Sequence, residues 1–398
     1  MKNITFMILL CLLLTSCSNY KELNEIGLIT SLGIDIPKNQ ESGIRVTHQV
    51  INPSPLSNNT GNTSGLSLVN YTVEGDSLID TYRKSSAIIP RESVVSHLSL
   101  VVISEEQAKK GIATLLDAFE RGKQARSNIP VFIARGSTAE ELLALIEPIE
   151  SNPAKSIIST SENNKKMYGV AELVPMYEVI ASLSSEGRDI MLTGISHTKK
   201  EIVDNQTENL EKIDPTVMQV DGIALFKKDR LVQWLDGPLA RTAQLILSEA
   251  KSSTFPLPCE ANTEKNNKQI TLITRGNKTK LSTEVKNGEI ILQVNMLLRS
   301  EISETTCNLN LKDSKTLEKF ENIFVKEVTS QIKQVFEVTQ KHGADVFGFG
   351  EKLSKSNPTY WKEHKNNWNQ LFSNAALSIN VKANIDNTGM RVNSYELK

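Results

Sequence analysis

Apolar and polar positions alternate in two rhythms along this chain, and the rhythm switches often. Ile44 to Ile51 (Ile-Arg-Val-Thr-His-Gln-Val-Ile) repeats every second position, which predicts a half-buried strand. Residues 26–36, 67–74, 94–103, 129–134 and 189–197 read as further strands. Between them, Asp76 precedes a helical pattern carrying Leu78, Ile79 and Tyr82. Ser104 precedes one carrying Ala108, Ile112, Leu115, Leu116 and Phe119. Ser137-Thr138-Ala139-Glu140 resembles a capping box ahead of Leu142, Leu143, Leu145 and Ile146, and residues 173–183 form another helix. The Pro/Ser/Asn/Gly stretch at 52–65 cannot pack and reads as a loop. Strands interleaved with helices predict mixed α/β layers.

Residues 199–214 are polar and charged with few apolar positions, so a boundary is expected there. It separates an N-terminal region at 17–205, with room for two lobes, from a C-terminal domain at 214–398. In the latter, 217–227 and 231–235 are strands, and 238–251 is a helix with Leu239, Ala243, Ile246, Leu247 and Ala250 inward. Residues 278–286 and 289–299 alternate around Asn287-Gly288, a strong hairpin signal because both turn positions need positive φ. From Ser314 to about residue 341, Leu317, Phe320, Phe324, Val328, Ile332 and Val335 recur at helical spacing, so one stripe faces a sheet. His342-Gly343 ends that helix. A helix at 358–374 presents Trp361, Trp368 and Phe372, and 376–386 is a final strand. The fold class is α/β (mixed α+β). It is a multi-lobed body of mixed sheets covered by helices, with an antiparallel-rich sheet and a long helix in the C-terminal domain.

The amino end adds a targeting signal. Lys2 supplies a positive charge, Ile4 to Leu14 form an apolar run, and Leu14-Thr15-Ser16-Cys17 reads as a lipobox. A bilayer span needs roughly 20 apolar residues, so residues 1–16 fit a lipoprotein signal peptide instead. Cleavage would leave Cys17 first, its thiol free for diacylglycerol attachment. An ordinary signal peptide would make Cys17 incidental. The net charge of the 398-residue chain is −1, and losing Lys2 makes it one unit more negative. Near-neutrality argues against a nucleic-acid partner, which would demand a basic stripe. It also leaves membrane residence to the acyl chains, of which stable anchoring takes two.

Outside the leader and anchor, Cys259 and Cys307 remain. Both flank strands of the same half, and export permits a disulfide. Two separate buried thiols are equally compatible with the sequence. The five histidines (His48, His97, His197, His342, His364) are scattered without metal-ligand spacing. Gly194-Ile-Ser-His-Thr198 lacks the second glycine of a nucleophile elbow. Gly348-Phe-Gly350 lacks the third glycine of a dinucleotide site, so its glycines read as packing devices. Phe226, Trp234, Phe347 and Phe349 read as core plugs. No acid, base and nucleophile assemble, so no enzyme, no cofactor and no metal site are expected.

Several segments together resemble the C-subunit lipoproteins of bacterial spore germinant receptors, the Ger(x)C family. Tyr20-Lys-Glu-Leu-Asn-Glu25 with Gly33-Ile-Asp35 is similar to that family's first strand region. Gly222-Ile-Ala-Leu-Phe-Lys227 is similar to its Gly-x-Ala-x-Phe-Lys pattern. The most specific segment is Ala344-Asp-Val-Phe-Gly-Phe-Gly-Glu351, followed by Tyr360-Trp-Lys362 and Trp368. Tyr20 stands where Trp is frequent, and Gln233 where Gly is frequent. The resemblance implies a non-enzymatic subunit acting in spore germination, lipid-anchored at the outer face of the spore inner membrane. Its implied partners are two integral membrane subunits, A and B, in a complex that answers nutrients. The alternative is a solute-binding lipoprotein that delivers a ligand to a transporter.

Overall fold

The computed structural model describes residues 25–38, 43–51, 68–122, 126–198, 209–250, 252–259 and 268–387. The leader at 1–16, Cys17 and the loop expected at 52–65 lie outside the described residues. Two sheets organise the rest. The first has nine strands with a parallel centre, in the order β1 (Ile26–Asp35), β5 (Leu100–Ser104), β6 (Val131–Ala134), β7 (Met191–His197). β2 (Ile44–Ile51) and β3 (Leu68–Gly75) add antiparallel on one flank. β8 (Met218–Lys227) and β9 (Arg230–Leu235) do so on the other, and β4 (Glu92–Val94) pairs with the start of β1.

β5 is apolar at successive positions because helices cover both of its faces, as is usual for parallel strands. Val101 and Ile103 pack with α1 (Leu78–Lys84), α2 (Glu105–Lys110), α3 (Ala113–Arg121) and α6 (Met176–Ser184). Leu100 and Val102 pack with α4 (Ala139–Ala144) and α5 (Pro153–Met167). The second sheet runs β10 (Ser253–Pro258), β11 (Gln269–Lys286), β12 (Glu289–Thr305), β13 (Ala376–Asn387). Its last pair is parallel and the others antiparallel. Against it lie α7 (Gly237–Leu247) and α8 (Ser314–Lys341). α8 buries Phe320, Phe324, Val328, Ile332 and Val335, the stripe read from the sequence. The core containing α7 also takes in Met191, Ile223 and Leu225, so it is continuous with the first sheet. The chain then passes through α9 (Phe349–Ser356), α10 (Pro358–His364) and α11 (Trp368–Asn374).

The structure revises several local expectations. The helix expected after Ser104 breaks at Gly111 (φ 135°) into α2 and α3. The strand expected at 94–103 is two short ones, β4 and β5. The caps shift by one residue: Ser77 caps α1, Asp313 caps α8, and Thr138 with Glu141 makes the capping box of α4. The helix at 358–374 breaks at a 3₁₀ turn over Lys365–Asn367. α5 and β10 were not expected. α5 buries few apolar side chains, Ala154 and Ile157 among them, and its stripe is thin. β10 carries Pro256 and Pro258, which disqualify a central strand but suit the sheet edge it occupies. The charged stretch at 199–214 does link β7 to β8. Yet β8 pairs directly with β7 (Ile195 opposite Val220), so the first sheet draws strands from both sides of that stretch.

Gly33-Ile-Asp35 closes β1 under α4. A Cβ at Gly33 would lie 3.1 Å from Leu143 Cδ1 and 3.2 Å from the Ala139 carbonyl carbon, so the helix rests on bare backbone. The Asp35 carboxylate accepts from the Ala139 N–H at 2.8 Å and the Glu140 N–H at 3.0 Å. Burial pushes its pKa up while these amides pull it back, as expected for an anion at a helix start. Asp35→Ala would strand two amides at a buried helix end. The expected cost is about 2 kcal/mol, read as a lower urea midpoint at unchanged slope. An unmoved midpoint would show that α4 does not depend on this cap.

Candidate functional site

The two sheets meet where the loop between α6 and β7 faces the turn between α8 and α9. Asp189 and Asp345 form the contact. The Asp345 N–H donates to Asp189 Oδ2 at 3.0 Å, and the Asp189 N–H donates back to the Asp345 carbonyl at 2.9 Å. Asp189 Oδ1 accepts from the Lys228 N–H at 2.7 Å, and Lys227 Nζ lies 3.4 Å from Oδ2 while also donating to the Gly343 carbonyl. The tight Lys228-Asp229 turn between β8 and β9, with Lys228 at φ 53°, presents that amide. Burial pushes the Lys227 ammonium below its usual pKa, against the pull of Asp189.

Asp345 is 1% exposed. Its carboxylate accepts from the Phe349 N–H (3.0 Å), the Gly350 N–H (2.8 Å) and Trp368 Nε1 (3.0 Å). Burial is the largest influence and pushes its pKa up to about 6. The three donors pull it down, and the neighbouring Asp189 adds to the rise. Gly350 has no room for a side chain: a Cβ would lie 2.6 Å from Trp368 Nε1 and 2.7 Å from Gly187 Cα. Gly187 is confined in return by the Gly350 carbonyl carbon at 2.7 Å. Phe347 and Phe349 then stack around Phe336, with ring centroids 5.1 and 5.7 Å away. The Gly348–Gly350 segment is thus a packing device. The amides that a phosphate would need are already taken by Asp345.

A second cluster surrounds the Gly222 segment. Gly222 (φ 75°) brings the backbone so close to Asp236 that a Cβ would lie 2.6 Å from Oδ1. Arg135 lies over the Trp234 ring at 4.5 Å and pairs with Asp221 (3.1 Å) and Asp236 (2.5 Å). The Trp234 indole donates to Glu105 at 3.1 Å. Gly194 lies beneath that indole, where a Cβ would come within 2.5 Å of the ring. Gly194–Thr198 therefore continues a strand under an aromatic lid, and Ser196 and His197 point to opposite faces. Trp234 covers this cluster rather than plugging the core, whereas Phe226, Phe347 and Phe349 are buried.

Cys259 and Cys307 face each other from the ends of β10 and β12, with Cα atoms 5.7 Å apart and the sulfurs joined. The histidines stay apart: His48 is buried in β2, His97 is exposed, His197 ends β7, His342 caps α8, and His364 stacks on Tyr360. Among the described residues no group of three or more His, Cys, Asp or Glu could hold a metal ion. Likewise, no described helix is long and apolar enough to cross a membrane. A cleft of about 540 Å³ opens beside the Asp189–Asp345 contact, with Glu172, Glu178, Arg188, Glu249 and Lys352 among its lining. It includes no Ser, Cys or His. Its one aliphatic hydroxyl, on Thr279, already donates to the Leu245 carbonyl. Asp189 and Gly187 were missed by the sequence reading. Their partners stand more than 150 residues away, at Asp345 (separation 156) and Gly350, and no local pattern links them.

These features define a two-sheet α/β protein built around close backbone contacts. Residues 19–197 match the spore germination protein N-terminal domain, and residues 221–389 match the spore germination B3/GerAC-like C-terminal domain. The chain belongs to this GerAC-like family of spore germination proteins. Spore germination protein KC of Bacillus subtilis is 26% identical over 400 residues, covering 97% of this chain and 95% of that protein. Spore germination protein A3 of the same organism is 26% identical, covering 97% of each. GerQC of Bacillus cereus is 21% identical, with 98% and 99% covered. The crystal structure of the GerBC protein shares the fold, with a TM-score of 0.58 at 17% identity over 93% of this chain and 100% of that one.

Two measurements probe the site. Folded Asp345 titrates near about 6 against an ordinary 3.8, so the folded state holds an extra proton between those values. Its contribution to stability is therefore greatest at the acid end of that window and is lost as pH rises through about 6. Asp345→Asn removes the titration and turns an amide donor toward Trp368 or Gly350, costing about 1–3 kcal/mol at the acid end. Urea midpoints should show the gap between the two proteins narrowing as pH rises through about 6. A constant gap would contradict this account.

The second measurement concerns the cysteines. Their bridge closes a loop with a sequence separation of 48. In the chain-entropy model that stabilises by about 4 kcal/mol, so reductant should lower the urea midpoint accordingly. Alkylation of both cysteines in the denatured chain before any reduction would contradict the bridge.

Proposed function

We propose that this chain is the lipid-anchored, non-enzymatic C subunit of a nutrient germinant receptor. It is attached through Cys17 to the outer face of the spore inner membrane and works beside two integral membrane subunits. The carrying observation is that family domains match both halves in order, with relatives named as spore germination proteins matched over nearly their whole lengths. The lipobox ahead of Cys17 supports the anchor. The regions 17–205 and 214–398 are read as its two modules, sharing strands in the first sheet.

Tethering explains why a near-neutral body would need a lipid. From Cys17 to Glu25 an extended chain reaches at most about 29 Å. The body is thereby held near its membrane partners at a high effective concentration. Cys17→Ala should release the protein from the membrane fraction, except where subunit contacts retain it. Nutrient-triggered germination should weaken, while germination triggered without the receptor should be unchanged. Mass spectrometry of the wild-type amino-terminal peptide should show diacylglycerol on Cys17. An unmodified Cys17, or a retained leader, would overturn the anchor. Unimpaired nutrient germination in a strain lacking the whole protein would overturn the receptor role.

A further inference from the structure

The tether proposed above decides which part of the body faces the bilayer. An extended chain from Cys17 to Glu25 reaches at most about 29 Å, whereas a compact body of this size is about 50 Å across. The start of β1 and the surface around it therefore stay in the membrane-facing half. Beside that start lies the turn from α1 to β4, at residues 85–91. β4 pairs with β1 from Ile26 opposite Glu92, and the Glu92 N–H donates to the Glu25 carbonyl at 3.0 Å. A Cβ on Gly27 would lie 3.6 Å from Ile89 Cγ2 and 3.5 Å from Arg91 Cβ, so the turn packs on the first residues of β1.

Hydrogen bonds hold this turn in shape and leave apolar side chains outside. The Ser85 carbonyl accepts from the Ile88 N–H at 3.0 Å and the Ile89 N–H at 2.8 Å. The Tyr82 hydroxyl donates to the Ser93 carbonyl at 2.5 Å, tying α1 to β4. Ile89 is a buried plug, while its neighbour Ile88 is 49% exposed and Pro90 is exposed too. Across a hollow of about 170 Å³ from Pro90 and Arg91 stands Val69 of β3, 36% exposed. A single exposed isoleucine is ordinary. Ile88, Pro90 and Val69 grouped at the entry of the tether make an apolar patch. Arg83, Lys84 and Arg91 around it are matched by Asp80, Glu25 and Glu92, so it carries no net charge to attract anionic headgroups.

We propose that the turn at 85–91, with Val69 beside it, is a membrane-contact surface whose partner is the interfacial zone of the lipid bilayer. Ile88 and Pro90 enter the boundary between headgroups and acyl chains. Arg83 and Arg91 lay their stems along the lipid and keep their charged heads in water. The inference rests on Cys17 as the lipid anchor. With the body already tethered, even a small patch meets lipid at high effective concentration, so it sets the orientation of the body and not its residence. Because the charges around it balance, the contact is apolar and withstands salt.

The test uses the mature, lipidated chain floated with phosphatidylcholine vesicles, carrying the fluorophore nitrobenzoxadiazole on one added cysteine. Ser86→Cys puts the label beside Ile88. Glu106→Cys puts it just past the end of β5, which lies level with the opposite end of β1. Both positions are exposed, and the bonded Cys259 and Cys307 do not take up label. Lipid bearing a nitroxide near the headgroup should quench the label at 86 at least about twofold more than at 106, since only the former lies in the interfacial zone. High salt should leave that excess unchanged, and Ile88→Asp, at a half-exposed position, should remove it. Equal quenching at the two positions, an excess that Ile88→Asp leaves intact, or an excess lost in salt would overturn the surface. So would a blue-shifted label at 86 that the nitroxide does not reach, which would show the patch covered by protein. In each of these cases diacylglycerol on Cys17 of the floated chain would leave the anchor standing, whereas an unmodified Cys17 would overturn anchor and surface together.

Discussion

Asp189 and Asp345 each give the other a backbone partner, and around that exchange the two sheets keep their spacing. The Asp189 carboxylate takes the Asp345 amide and the Lys228 amide, joining the loop before β7, the β8–β9 turn and the end of α8 at one point. The Asp345 carboxylate turns the other way and gathers the first amides of α9 with the Trp368 indole. Inside a low-dielectric junction such charge-assisted bonds are short, directional and mutually reinforcing. The Gly187–Gly350 approach, the Phe336–Phe347–Phe349 stack and the charged cleft all presuppose it. Lys227 stands close enough to offset one of the two carboxylates. Burial is the main reason the Asp345 pKa is raised, and the neighbouring Asp189 carboxylate adds to it.

The most legible features in the sequence were those carried by local periodicity. The stripe of α8, the Asn287-Gly288 hairpin and the doubly buried β5 all announce themselves in their own residues. α5 did not, since its polar sequence buries only a thin edge, and β10 was masked by its prolines. Family-like segments were visible as patterns, but their physical meaning was not. Gly33, Gly222 and Gly350 each mark a place where a backbone must pass within van der Waals reach of another element. A sequence shows that a side chain is missing. It does not show what comes close, because Ala139 and Gly187 are supplied by distant parts of the chain and Asp236 by the end of the neighbouring strand. The same limit hid Asp189.

β1 enters the body at Glu25 and lies in the interior of the first sheet, not at its rim. It is hydrogen-bonded to β2 on one side, and to β4 and then β5 on the other. A pull on its amino end, along the strand, is carried by ladders on both flanks. Hydrogen bonds that run across the direction of load must yield together in shear, whereas a rim strand would peel off one bond at a time. Gly33 and Asp35, locked beneath α4 at the far end of the same strand, add a stop against sliding. A strand paired on both flanks is therefore a stiffer place from which to hold this body than the rim strands β3 and β9, and a tug on it displaces the body as a whole before it unravels any part.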